Sequence, residues 1–198
     1  MVRKSFSFRR LLFFTGAFIL VALVLSLILF RFGFPRLLGL GQPHTFSTPQ
    51  AQIHPELMDQ MVKHSSYGDV EDLDDLITFT MQRTSENLYP DLYHSYSLHF
   101  RELRAAHCLE YSHFFGSAFN SFAGAKGIPF RAIVVRSEEA TFAGQRIPLS
   151  GFENHDWIMI IPAGSESTGQ IAISRGLRFL DPMFYDLFYI AYIEASIH

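Results

Sequence analysis

The sequence predicts an α+β domain carried behind one N-terminal transmembrane helix. Residues 11–30 form an apolar run without a charged side chain, about the 20 residues a helix needs to cross a bilayer. From Ala106 onward, Leu109, Phe114, Phe115, Ala118, Phe119, Phe122 and Ala123 place apolar side chains nearly all round a helical wheel, the pattern of a helix buried on every side. Residues 131–135 and 155–161 are short and rich in Val and Ile, as strands facing a core should be.

The chain has 198 residues and a formal net charge of -3. Without the span it is long enough for one domain that buries roughly two-thirds of its unfolded surface, and too short for two. The charge offers no basic footprint, so no nucleic-acid partner is expected. Arg3, Lys4, Arg9 and Arg10 precede the span, and only Arg31 and Arg36 follow it closely. That asymmetry predicts a single-pass membrane protein with residues 1–10 cytoplasmic and the C-terminal domain extracytoplasmic, periplasmic or extracellular. A cleaved signal peptide would carry a shorter apolar region and a small-x-small site; Ile28, Leu29, Phe30, Arg31 and Phe32 offer none.

Residues 31–54 carry Gly33, Pro35, Gly39, Gly41, Pro43 and Pro49 and read as a juxtamembrane linker, with the domain at 55–198. A short helix is expected over 56–62. A firmer one is expected over 69–88, where Val70, Leu73, Leu76, Ile77, Thr80 and Met81 recur at helical spacing and Asp69, Glu71 and Asp72 crowd the positive end. The acidic cluster lacks the glycine and spaced oxygens of a calcium loop, so a helix start is the reading. Tyr89-Pro90 ends this helix. Tyr89, Tyr93, Tyr96 and Phe100 follow, and core is the default place for such aromatics.

Gly124, Lys126 and Gly127 close the buried helix that begins near Ala106, and the strand at 131–135 follows. Residues 137–151 read as a loop or irregular hairpin, 155–161 as a strand, 162–169 as a turn and 170–174 as a returning strand. Residues 177–180 then deliver Asp181 at a sheet edge. The aromatic stretch 184–192 is expected to pack on the core, the membrane or a partner.

Cys108 is the only cysteine, which excludes an intramolecular disulfide. Near the first turn of a helix its thiolate gains from unpaired N–H groups and the helix dipole, and the same groups offer a donor to an oxyanion. Strand alternation puts His155 and Trp157 on one face and Asp156 on the other. Asp156 is therefore a poor partner for its neighbour, and Asp181 is the better one. Cys108, His155 and Asp181 together supply a nucleophile, its base and a carboxylate that orients the base. His107 could line the cleft or cap the helix, with a capping or surface role the favoured reading, and the same holds for Glu110 and His113. No metal-ligand spacing joins the histidines to the single Cys, so neither a metal nor a cofactor is expected. Tyr93, His94 and Tyr96 are open as upstream oxyanion donors.

These stretches resemble the transglutaminase-like superfamily over about residues 69–185. Cys108-Leu109-Glu110-Tyr111 is similar to its Cys motif, Gly127-Ile128-Pro129-Phe130-Arg131-Ala132 to its helix-to-strand link, His155-Asp156-Trp157 to its His-x-Trp, and Leu180-Asp181-Pro182 to its final Asp-Pro. The resemblance implies a papain-like Cys-His-Asp fold with a buried Cys-bearing helix packed on an antiparallel sheet. Cys108 would be its nucleophile, His155 its general base and acid, and Asp181 its orienting carboxylate. One departure is His107, where the family usually has a small or glycine-rich pair before the Cys. The function expected is a membrane-anchored cysteine acyl-transfer enzyme acting on the amides of a peptide or protein substrate, by proteolysis, amidase action or cross-linking. The alternative is a catalytically silent subunit that binds or assembles a membrane complex.

Overall fold

The computed structural model describes residues 8–40, 43–47, 49–91, 93, 95–148, 154–164, 179–190 and 192. The chain is mixed α+β. Helix α1 (Phe8–Leu37) is 30 residues long, or about 45 Å at the usual helical rise. Its described side chains, residues 15–29, are all exposed. Among the residues whose side chains are described, which in this helix are 15–29, no helix is long and apolar enough to cross a membrane.

The stretch expected to be a linker is not one throughout. It contains β1 (Leu38–Leu40) and β2 (Pro43–Ser47), and β2 pairs with a central strand. Proline is tolerated there because Pro43 opens an edge strand, where its missing N–H breaks no ladder. After β3 (Gln52–Ile53), α2 (Pro55–Val62) begins on a proline suited to a first helical position and buries Leu57 and Met61, one turn apart.

Helix α3 (Leu73–Asn87) starts later than expected, because Asp72 is its cap and accepts from the Asp75 N–H at 2.9 Å. Asp69 and Glu71 therefore precede the helix. On its core face the Thr80 and Thr84 hydroxyls donate to the carbonyls of Leu76 and Thr80, each at 2.7 Å, so two buried polar groups are satisfied locally. Three short strands follow: β4 (Leu88–Pro90), β5 (His99–Phe100) and β6 (Arg104–Ala106). β3 pairs with β5, and β4 with β6, both parallel. Of the aromatics assigned to the core here, only Phe100 is buried; Tyr89 and Tyr96 are each 51% exposed and Tyr93 is 96% exposed. Phe100 meets the Phe114 ring edge-on at 5.0 Å, while the three tyrosines lie on the connection outside that contact.

Helix α4 (Cys108–Lys126) ends at Gly127, whose φ of +67° is a left-handed cap that glycine adopts without strain. Phe114, Phe115, Phe119 and Phe122 are almost fully buried, each contributing on the order of 2–3 kcal/mol of apolar burial. Strand β7 (Phe130–Ser137) is followed by the hairpin β8 (Ala140–Phe142) and β9 (Gln145–Arg146), to which β1 adds a third strand. Strand β10 (His155–Pro162), β11 (Phe179–Leu180) and α5 (Pro182–Phe188) complete the described order. The returning strand expected at 170–174 lies outside the described residues.

The main sheet has the order β11-β10-β7-β2, with every pair antiparallel. α4 packs on β7 and β10, and α3 and α5 pack on α4. The approach is close at Gly116, where an added Cβ would lie 2.3 Å from Pro49 Cγ. That contact draws the chain just after β2 onto the same helix.

Candidate active site

The first turn of α4 is held by a buried carboxylate. Glu110, with no exposed surface, accepts from the His107 N–H at 3.2 Å, the Ser97 N–H at 2.9 Å and Arg104 Nη2 at 2.7 Å. Arg104 in turn donates to the His99 carbonyl and lies over the Phe100 ring. Glu110 is thus the expected capping side chain at N3 of α4 and also an internal fastener of the 97–107 segment, and only the expectation of a surface position is corrected. Its burial is tolerated because two backbone N–H groups and a guanidinium donate to it.

Cys108 is the first residue of that helix. Its side chain is hydrogen-bonded to the rings of His107 and His155 and to the backbone N–H of Asp156. Burial pushes the thiol up from its ordinary value of 9, but these hydrogen bonds and the charge of His155 outweigh it and hold it at about 6. Its own N–H, as the first of the helix, has no intrahelical acceptor.

His155 opens β10, and its ring is buried. Nε2 lies 2.7 Å from Asp181 Oδ2, which leaves Nδ1 as the nitrogen for Cys108. Trp157 meets the ring edge-on at 4.5 Å, and Phe184 stacks on it at 5.7 Å. Burial disfavours the imidazolium. The Asp181 charge and hydrogen bond, followed by those of Cys108, prevail and raise its pKa well above the ordinary range.

Asp181 reaches the ring because β11 pairs with β10, Leu180 opposite Ile158. It also caps α5, Oδ1 accepting from the N–H groups of Met183 at 2.9 Å and Phe184 at 3.1 Å. Cys108, His155 and Asp181, separated by up to 73 positions in the chain, therefore form one hydrogen-bonded series. Asp156 is outside it: its carboxylate takes Arg136 Nε at 2.9 Å and Nη2 at 3.0 Å, cross-strand on β7.

Of the two histidines beside the first turns of α4, His107 keeps its expected place and His113 does not. His107 stands at the cap position of α4, in a capping box with Glu110, and its ring also meets Cys108 and stacks on Tyr96 at 5.8 Å with 11° between planes. The hydrogen bond to Cys108 raises its pKa despite partial burial. His113 is buried, its Nδ1 accepting the Gln50 N–H at 3.3 Å, and burial lowers its pKa. Among the oxyanion candidates, Tyr96 lies beside His107, Tyr93 is almost wholly in solvent, and His94 is outside the described residues. Among the described residues no group of His, Cys, Asp and Glu side chains is arranged to hold a metal ion.

No family model, no curated protein and no solved structure matches this chain.

Proposed function

We propose that the chain is a membrane-anchored, extracytoplasmic cysteine acyl-transfer enzyme of transglutaminase-like type acting on peptide amides. The observation that carries this reading is the series Cys108–His155–Asp181, in which a thiol at about 6 faces an imidazole held by a buried carboxylate. An ion pair of thiolate and imidazolium is the resting form such an arrangement favours.

The Cys108 thiolate attacks the amide carbonyl, forming a sulfur–carbon bond and an oxyanion that the Cys108 N–H is placed to receive. Collapse breaks the carbon–nitrogen bond, and the His155 imidazolium gives its proton to the departing amine. Neutral His155 then takes a proton from water or from a second amine as that nucleophile attacks the thioester. The acyl group leaves as an acid or a new amide, and the thiolate–imidazolium pair returns. Asp181 keeps one ring orientation throughout.

The anchor in this reading is α1. Its 30 residues span about 45 Å, more than the roughly 30 Å hydrocarbon core, and the apolar run of residues 11–30 lies within it. The basic residues before the run favour a cytoplasmic N-terminus.

The test uses an electrophilic peptide amide analogue on the full-length chain. Because Cys108 is the only cysteine, thioether labelling reports on it alone. Labelling lost in Cys108→Ala and slowed in His155→Ala supports the reading. Undiminished labelling of Cys108→Ala removes the proposed nucleophile, and an unreactive wild type favours the silent-subunit alternative.

A further inference from the structure

The strand registers give the main sheet two unlike ends. Ser137, the last residue of β7, is paired on one side with Pro43, the first residue of β2, and on the other with His155, the first residue of β10. Asp181 follows the last residue of β11, and Leu180 pairs with Ile158 toward the start of β10. The start of β2, the end of β7, the start of β10 and the end of β11 therefore share one end of the sheet. The hydrogen-bonded Cys108 lies there too.

That is also the end at which the chain arrives from α1. β1 follows α1 without a gap and pairs with β8, Leu40 opposite Ala140, and α1 itself contacts β8. Pro43 then enters the sheet in line with Ser137 and His155, so His155 is only two strand spacings, about 10 Å, from the entry strand. The opposite end, where Pro162 pairs with Phe130, lies a strand length of about 26 Å farther away.

Tyr89, Tyr93 and Tyr96 are exposed; Tyr96 stacks on His107 beside the thiol, and β4 holds Tyr89 opposite Ala105, two residues before His107. An exposed tyrosine beside the reactive group and another on the adjoining strand suit the headgroup region of a bilayer, where a ring with a polar tip is favoured.

We infer that the site opens toward the bilayer surface and that its acyl donor is a membrane-tethered peptide whose reacting amide lies close to the headgroups. This rests on the acyl-transfer and anchor reading above. It adds a substrate class, since a donor held in the same membrane reaches the thiol by lateral diffusion, while a free peptide must arrive through the narrow space between domain and lipid.

The full chain is reconstituted in phosphatidylcholine vesicles and treated with a peptide vinyl sulfone in three forms: soluble, coupled to a phospholipid headgroup by a spacer of about 10 Å, and coupled by one of about 60 Å. Tethering is effective only when the spacer spans the gap, and its benefit falls as the spacer grows beyond it. The expected result is Cys108 labelling by the short-tethered probe about ten-fold faster than by the long-tethered one. Labelling by the soluble and long-tethered probes with none by the short one overturns the bilayer-facing site and leaves the acyl-transfer reading standing. Labelling by no probe, in chain shown to be folded and inserted, overturns both.

Discussion

Asp181 divides its carboxylate between His155 and the start of a helix: Oδ2 meets His155 Nε2, and Oδ1 receives two N–H groups of α5. The division matters because the helix, itself packed on α3 and α4, fixes the rotamer of the group that orients the imidazole. Phe184, whose N–H is one of the two, closes the arrangement by stacking on the ring.

Asp181→Asn should separate the two roles. Asparagine still caps a helix, so stability falls modestly, by about 1–2 kcal/mol for the lost charge-assisted bond. The ring loses its counter-charge, and labelling by the amide analogue should fall by about two orders of magnitude or more. Asp156→Asn, which touches Arg136 instead, should stay within a few-fold of wild type. Labelling rates and urea unfolding of both variants check this, and an equal loss in the two would remove Asp181 from its assigned role.

Cys108 should alkylate with a pH midpoint near 6. His107→Ala and His155→Ala each remove a hydrogen bond that lowers the thiol, so the midpoint should climb by about a unit or more toward the ordinary value. At pH near 6.5 the rate should drop only several-fold, because a thiolate of higher pKa is the better nucleophile. Iodoacetamide rate profiles measure both quantities. The sign for stability follows: the native thiol is more acidic than the unfolded one, so its contribution is complete above the ordinary value of 9 and is lost as pH falls through about 6. The stability of wild type relative to Cys108→Ser should accordingly grow from about pH 6 to about pH 8.

Arg104→Ala should be among the costliest single changes. It leaves the Glu110 carboxylate without exposed surface and without its permanent cation, with only the His107 ring at 3.7 Å as a charged neighbour when protonated, a loss of about 3 kcal/mol. Adding Glu110→Gln should recover part of it, because a neutral amide costs less to bury. Urea midpoints of the two variants and the double variant test the coupling.

Gly116→Ala should destabilise although alanine is the better helix former by about 1 kcal/mol. The new methyl would stand 2.3 Å from Pro49 Cγ, 3.1 Å from its Cβ and 3.4 Å from Ile158 Cδ1, and overpacking of this kind costs about 1–3 kcal/mol. Pro49→Ala in the same chain should relieve most of the effect. A Gly116→Ala variant as stable as wild type would show that Pro49 moves aside freely.

By itself the amino-acid order determined the elements whose signal is local: an apolar helix across residues 11–30 though not its extension to Phe8–Leu37, the all-round burial of α4, the β-branched runs that became β7 and β10, and the sequence of Cys108, His155 and Asp181. Periodicity and chain order suffice there, because each reports on residues within a turn or a strand. Tertiary structure alone decided what the polar side chains meet. Glu110 became an internal fastener because Arg104 and Ser97 fold back onto it, His107 at its cap position gained the thiol and Tyr96 as partners, and residues 43–47 joined the sheet through β7. Such outcomes depend on free energies of contacts between distant segments, which no short window of residues contains.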